Sequence, residues 1–192
     1  MEVNIMDRKI RIEITTWLGF LFTVLAGTLL HFAFQASGGN TLVGALTPVN
    51  ESVWEHLKLL LFPTILFAVV EYFVFGKDCP AFFTGKIFAL FLGMLLIVCG
   101  YYTYTGIVGQ RFIAVDIGLF IASAALTAYL SYRFCQKTGI LANDTQSIIA
   151  LLLLTVVILS FIYFTFHPPM LELFRDPVTE DFGIIGSLTY RF

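Results

Sequence analysis

The chain has 192 residues, of which 58% are hydrophobic and only 12% charged, and its mean hydropathy is +0.89. Soluble domains are about half apolar and about a quarter charged, so this composition excludes an ordinary soluble globule and indicates a surface that faces lipid. The net charge of −2 offers no basic patch, and we therefore expect membrane lipids, but no nucleic acid, among the partners.

Five apolar runs are long enough to cross a bilayer, which requires about 20 helical residues. They lie near residues 14–35, 53–75, 82–104, 112–134 and 147–166. Glycine, proline and short polar residues separate them, as is usual between helices. The sequence predicts an all-α fold: one integral membrane domain over 1–192, a bundle of five transmembrane helices with a tail over 167–192.

The basic residues predict the orientation of this bundle. Most of them fall on one side of the predicted topology, namely Arg8, Lys9, Arg11, Lys77, Lys86, Arg133 and Lys137. Lys and Arg are enriched in cytoplasmic loops, so we expect the N-terminus in the cytoplasm and the tail outside. Glu71 is then expected near the cytoplasmic interface, where Lys77 or Lys86 pairs with it.

The cysteines are Cys79, Cys99 and Cys135, an odd number. No two of them lie within four residues of each other, so their spacing does not fit a cysteine-based zinc motif. We expect no disulfide framework.

Two ionisable residues lie inside apolar runs at a similar predicted depth. His31 follows Trp17 by fourteen residues, roughly 21 Å along a helix at 1.5 Å per residue. Asp116 lies one turn into the fourth run. An ionised Asp costs on the order of 3 kcal/mol within a spanning helix, so we expect Asp116 to face the bundle interior and to pair with a histidine, Arg111 or a metal ion.

The second helix opens with an unusually polar stretch, PVNESVWEH over 48–56. Asn50 is the expected cap, and Glu51 suits the positive end of the helix dipole. One stripe on this helix contains Glu51, Glu55 and Lys58. A second stripe beside it contains Ser52 and His56. A cap does not need this many polar side chains, so the stretch is a candidate site.

His167 ends the fifth helix, which places all three histidines of the chain on one predicted side of the membrane. The tail that follows has an apolar character that allows it to fold back as a lid, with a turn at Asp176 and Pro177. The residues expected to cover the bundle are Phe174, Phe182, Ile184 and Ile185.

Histidine and carboxylate side chains are ligands that suit zinc. The predicted metal ligands are His31, His56, His167 and Asp116. Asp116 or Glu55 is the predicted general base.

Two segments carry a resemblance to known proteins: PVNESVWEHLKLLLFP over 48–63 and HPPMLELFRDP over 167–177. Together they resemble an uncharacterised family of small multi-pass prokaryotic membrane proteins, which implies a prokaryotic cytoplasmic membrane as the location.

A looser likeness, at the level of site chemistry, is to the alkaline ceramidase-like membrane hydrolases, whose zinc site has three His and one Asp beside a Ser. Their matching set here is His31, His56, His167, Asp116 and, as a further catalytic residue, Ser52. That superfamily looks like a seven-helix bundle with a His-x-x-x-His pair. The sequence here predicts five helices and contains no such pair.

The leading hypothesis is a metal-dependent membrane hydrolase that acts on a lipid or amphiphile near the outer leaflet. One alternative is a non-enzymatic component that binds or transports a small solute, an ion or a proton. The other is a structural membrane subunit whose polar residues connect helices. Replacing His31 by alanine separates the three hypotheses. The variant should lose its metal if the protein is a hydrolase, lose solute binding if it is a carrier, and lose only thermal stability if it is a structural subunit.

Overall fold

The computed structural model describes residues 2–135 and 143–184, and these residues are helical without a β-strand. Their α-helices are α1 (Glu2–Ala36), α2 (Thr41–Leu46), α3 (Val53–His56), α4 (Lys58–Val74), α5 (Phe82–Val108), α6 (Ile113–Cys135) and α7 (Asp144–Phe166). Two short 3-10 turns, Gly76–Asp78 and Glu172–Phe174, complete the described elements.

The described part of the chain contains five stretches that are long and apolar enough to cross a membrane, as the sequence predicts: Met6–Ala36, Val53–Val74, Phe82–Val108, Ile113–Cys135 and Asp144–Phe166. Their ends differ from the prediction by more than a turn in two places. The first helix begins at Glu2, because the polar segment before the apolar run is rich in good helix formers such as Glu, Lys, Arg and Met. The third extends to Val108, where Gly109 at a φ of 79° ends it.

Two local features of the chain between α1 and α4 are absent from the prediction. The short helix α2 forms because the side chain of Asn40 accepts hydrogen bonds from the backbone N–H groups of Leu42 and Val43. The second apolar run is interrupted at Leu57, so that α3 precedes α4 as a separate turn. Both features lie beside the polar residues described below.

Helix α1 packs along α4 and α6, and α5 packs against α6 and α7. The centre of the bundle is filled by buried apolar side chains, including Leu60, Leu90 and Phe161. Lipid tails are as apolar as leucine, so helices in a membrane associate through close packing rather than through the hydrophobic effect. A Cβ atom on Gly93 would lie 2.1 Å from Oγ1 of Thr127, which shows how closely α5 and α6 approach.

We call the end of the bundle where α1 and α7 end and α4 begins the histidine end, and the opposite end the cysteine end. At the cysteine end, Cys79 and Cys135 form a disulfide, with their Cα atoms 5.3 Å apart. The expectation that the cysteines form no disulfide is therefore wrong. The two residues are separated by 56 positions and meet because the turn after α4 packs against the last turn of α6, beside Ile12 and Phe82.

The predicted pairing of Glu71 is confirmed, with Lys86 as the partner. Nζ of Lys86 lies 2.5 Å from Oε2 of Glu71, whose side chain is buried. Both residues of the pair line a cavity of about 10 Å³, and Thr16 and Thr64 are among its other walls. A space of this size is about that of one water molecule.

Candidate functional site

The start of α3 is organised by short-range hydrogen bonds that fix the positions of Glu51 and His56. Oγ of Ser52 accepts from the N–H of Glu55, so Ser52 is the cap of this helix. Oδ1 of Asn50 accepts in turn from the N–H of Ser52. The expectation that Asn50 caps the helix is therefore wrong by two positions, because Asn50 instead closes the turn that precedes the cap.

A cluster of two histidines and one glutamate lies at the histidine end, formed by His31 from α1, His56 from α3 and Glu51 from the turn before α3. Oε1 of Glu51 lies 3.8 Å from Nε2 of His31, and Oε2 lies 3.8 Å from Nε2 of His56. One ligand atom from each of the three residues lies within 4.8 Å of the other two. The cluster is half-buried, so a small ion has access to it.

The ring of His56 is oriented by the backbone. Its Nδ1 lies 2.9 Å from the carbonyl oxygen of Ser52. When Nδ1 donates its proton to this carbonyl, Nε2 carries a lone pair that points toward Glu51. Metal-binding histidines are usually oriented in this way, with the second ring nitrogen donating to a carbonyl or a carboxylate.

The separations within the cluster are close to those that a metal ion requires. A tetrahedral zinc ion with bonds of about 2.1 Å to nitrogen and oxygen holds its ligand atoms about 3.4 Å apart. The two separations between Glu51 and the imidazole rings, 3.8 Å each, are only slightly wider, and the three ligand atoms lie within 4.8 Å of one another, so a bound ion would draw the side chains together. The residues therefore fit a divalent metal with two imidazole ligands, one carboxylate ligand and an open position.

Arg111 approaches the same glutamate from the turn between α5 and α6. One nitrogen of its guanidinium group, Nη2, lies 3.5 Å from Oε2 of Glu51. The carboxylate of Glu51 thus faces two imidazole rings and one guanidinium group. The sequence places Glu51 in the polar candidate stretch over 48–56 but does not predict it as a metal ligand, because its partners come from three separate segments and share no local spacing with it.

Asp116 lies near the cluster and pairs with a different partner from those expected. Its Oδ1 accepts a short hydrogen bond from the hydroxyl of Tyr104, which also accepts from the N–H of Phe112. Asp116 is not part of the cluster of His31, Glu51 and His56. Its side chain instead lines the cavity that Glu51 and His56 also line.

This cavity has a volume of about 80 Å³ and combines a polar rim with an apolar floor. Besides Glu51, His56, Arg111 and Asp116, its walls contain Val53, Leu59, Ile97, Tyr101, Leu119 and Phe120. A second cavity of about 300 Å³ shares Val53 and Tyr101 with the first, and its other walls include Glu172 and Arg175 of the tail. We call the larger cavity the vestibule. Both cavities are thus lined by charged and apolar side chains.

The predicted catalytic residue Glu55 is part of a separate buried network. Lys58 is fully buried, and its Nζ lies 2.6 Å from Oε2 of Glu55 and 2.6 Å from Oγ1 of Thr165. The same ammonium group donates to the carbonyl oxygens of Gly44 and Thr47. A buried ion pair needs such additional partners to offset its desolvation. The network connects α2, α3, α4 and α7.

Two further predicted residues have local partners. Oγ of Ser52 is engaged as the cap of α3. The ring of His167 stacks on Tyr163, with centroids 4.8 Å apart, and His167 is not one of the three residues of the cluster. Of the four predicted metal ligands, the structure therefore groups only His31 and His56, and Glu51 is the third member.

The tail folds back on the histidine end, in agreement with the lid hypothesis for its described part. Phe174 is buried, and its ring lies 4.7 Å from that of Trp54. Asn50 donates from Nδ2 to the carbonyl oxygen of Gly183, and Asp176 accepts from the N–H of Glu51. Ile185, which was also expected in the lid, lies outside the described residues.

Over residues 2–135 and 143–184, these features define an all-helical protein with five helices apolar enough to cross a membrane and with a His/Glu cluster at one end of the bundle. The chain belongs to the family of unknown function DUF6512, which matches residues 5–184. No curated protein and no solved structure matches the chain.

Proposed function

We propose that this protein is an integral membrane protein that binds a divalent metal ion, most simply zinc, through His31, His56 and Glu51. The observation that carries the proposal is the convergence of two imidazole nitrogens and one carboxylate from three segments at separations near those of a metal site. The carbonyl of Ser52 supports it, because it orients His56 with Nε2 toward the proposed ion.

The proposed location is a prokaryotic cytoplasmic membrane, with the N-terminus in the cytoplasm and the tail outside. The five long apolar helices support a membrane, and the basic residues before and between the helices at the cysteine end support this orientation. The histidine end and its cavities then face the outer leaflet.

The proposed reaction is hydrolysis of a lipid or amphiphile. A metal ion in such a site activates water as a nucleophile and polarises the oxygen of an ester or amide. Asp116 is the candidate general base, because it lines the same cavity as two of the proposed ligands. Glu55 is less suited to that role, because Lys58 and Thr165 already occupy its carboxylate.

Elemental analysis of the detergent-purified protein tests the metal. We expect about one zinc per chain in the wild type and loss of zinc in His31→Ala, His56→Ala and Glu51→Gln. His167→Ala is the matched control, since it removes a histidine at the same end of the bundle but outside the cluster. An absence of metal from the wild type after zinc supplementation would contradict the proposal, and loss of zinc in His167→Ala would return that residue to the ligand set.

A second candidate function is the binding or transport of a small solute, an ion or a proton. The specific observation in its favour is the pair Glu71 and Lys86, which places a second polar site with a small cavity toward the cysteine end. The variant Glu71→Gln separates the two candidate functions. If the protein is a transporter, the substitution is expected to lower solute transport into proteoliposomes. Hydrolysis at the histidine end is expected to remain intact. Equal transport by the variant and the wild type would exclude a role for this pair.

A further inference from the structure

The guanidinium group of Arg111 has little to bind within the protein. Its side chain is about three-quarters buried, with 27% of its surface exposed, and its ion pair with Glu51 has a separation of 3.5 Å. No hydrogen bond to this group is found among residues 6–135 and 143–184, whose side chains the structure describes. A guanidinium group has five N–H donors in a planar fork that matches carboxylate and phosphate oxygens. Most of this donor capacity is available to a ligand in the cavity that Arg111 lines.

The charge in this cavity depends on whether a metal is bound. Glu51 and Asp116 contribute two carboxylates, against the single positive charge of Arg111. The hydroxyl of Tyr104 donates to Asp116 and stabilises that carboxylate in place. A divalent ion beside Glu51 reverses the balance, so that the loaded site attracts an anion and the empty site does not.

The walls of the cavity indicate what kind of molecule carries the anionic group. Below the polar rim, the floor is formed by Leu59, Ile97, Leu119 and Phe120. This arrangement suits an amphiphile whose charged group lies at the rim and whose hydrocarbon part contacts the floor. The vestibule, which is also lined by Val53 and Tyr101, provides additional space next to this cavity.

We propose that Arg111 and the metal at His31, His56 and Glu51 form an oxyanion-binding site that takes the phosphate group of an amphiphile. The inference rests on the proposed metal site and narrows its substrate to phosphate-bearing molecules. Arg111 binds two phosphate oxygens through its fork, and the metal binds a third. The phosphate group thereby replaces the missing hydrogen-bond partners of Arg111.

The first test uses inorganic phosphate as the probe and the zinc-loaded protein in detergent. Calorimetric titration of the wild type is expected to show binding that disappears when zinc is removed. Arg111→Met is expected to keep its zinc and to bind phosphate at least about tenfold more weakly, because it loses a charged, bidentate contact. Arg175→Met is the matched control: that arginine lines the vestibule but pairs with Glu172 and Glu180, so its loss should leave phosphate binding unchanged.

A second arm distinguishes the two sources of a phosphate group. Dihexanoyl phosphatidic acid is expected to bind at least about tenfold more tightly than inorganic phosphate, because its chains bury apolar surface on the cavity floor. Affinities that are equal would overturn the amphiphile and leave the free anion as the ligand.

The outcomes separate this inference from the proposal on which it rests. A wild-type protein without zinc overturns both. Zinc retention combined with phosphate binding that is absent, or that is unaffected by Arg111→Met, overturns the oxyanion site alone.

Discussion

The backbone N–H of Glu51 donates a hydrogen bond to Oδ2 of Asp176 at 3.0 Å, so the tail holds the residue that stands between the two histidines of the cluster. Asp176 is itself buried, and its Oδ1 accepts from the N–H groups of Val178 and Thr179. One carboxylate therefore organises the turn of the tail and fixes the backbone of a proposed metal ligand.

Replacing Asp176 by asparagine is expected to weaken zinc binding by about tenfold or more, which is typical of a lost supporting hydrogen bond behind a ligand. The asparagine side chain has only one oxygen that can accept. It therefore either turns its NH₂ group toward the N–H of Glu51 or loses the hydrogen bonds from Val178 and Thr179. Competition with a chromogenic chelator measures the affinity. Asp181→Asn is the control, because Asp181 contributes its backbone carbonyl rather than its side chain to the same turn. Equal affinities for Asp176→Asn and the wild type would show that the tail does not organise the site.

Replacing Lys58 by methionine is expected to destabilise the bundle by about 3–5 kcal/mol, because it leaves the buried carboxylate of Glu55 without its cationic partner. Thermal unfolding in detergent measures the change. Lys77→Met is a suitable control, since Lys77 is exposed. The double variant Lys58→Met with Glu55→Gln is expected to recover part of the loss. If Lys58→Met is as stable as the wild type, the buried network does not stabilise the bundle.

Replacing Gly27 by alanine is expected to push α1 away from α4 and to cost about 1–3 kcal/mol of stability. A Cβ atom at this position would lie 2.6 Å from the carbonyl oxygen of Leu59 and 2.7 Å from Cζ of Phe120. Gly118→Ala is the matched control, because a Cβ atom there meets nothing within 4 Å. Thermal unfolding of both variants checks the expectation, and an equal effect of the two substitutions would refute it.

The disulfide between Cys79 and Cys135 tests the proposed orientation. Disulfides persist in oxidising compartments, whereas the orientation proposed from the basic residues puts the cysteine end in the reducing cytoplasm. With this orientation, we expect both thiols to be alkylated when intact cells are lysed directly into a membrane-permeant maleimide, and to become protected only after oxidation. Mass spectrometry reads the number of modified cysteines, with Cys99 as the internal reference for a free thiol. Protection of the pair in cells would reverse the orientation and place the N-terminus outside.

The long helices and the partner of Glu71 were predictable from the sequence, because both depend on local periodicity and on depth along a helix. The partner of Asp116 could have been predicted in the same way. Tyr104 and Asp116 flank the turn between α5 and α6, so an antiparallel pairing of these helices brings them to one level.

The remaining features of the site depend on tertiary packing that no local pattern encodes. Glu51 becomes the third member of the cluster because the turn before α3 carries it between α1 and α3. His167 is placed differently from the prediction because its ring packs on Tyr163, one turn earlier in the same chain segment. Residues that lie at the same end of the bundle do not all contact one another.

The hydrogen-bond partners of Lys58 are made at different times during synthesis of the chain. The ammonium group meets Glu55 three positions away, but the hydroxyl of Thr165 lies 107 positions further along the chain. During synthesis from the N-terminus, this lysine is therefore made well before the threonine that completes its set of partners. Helix α7 completes a buried charge site that α2, α3 and α4 leave unfinished, so this network can form only after α7 has been made.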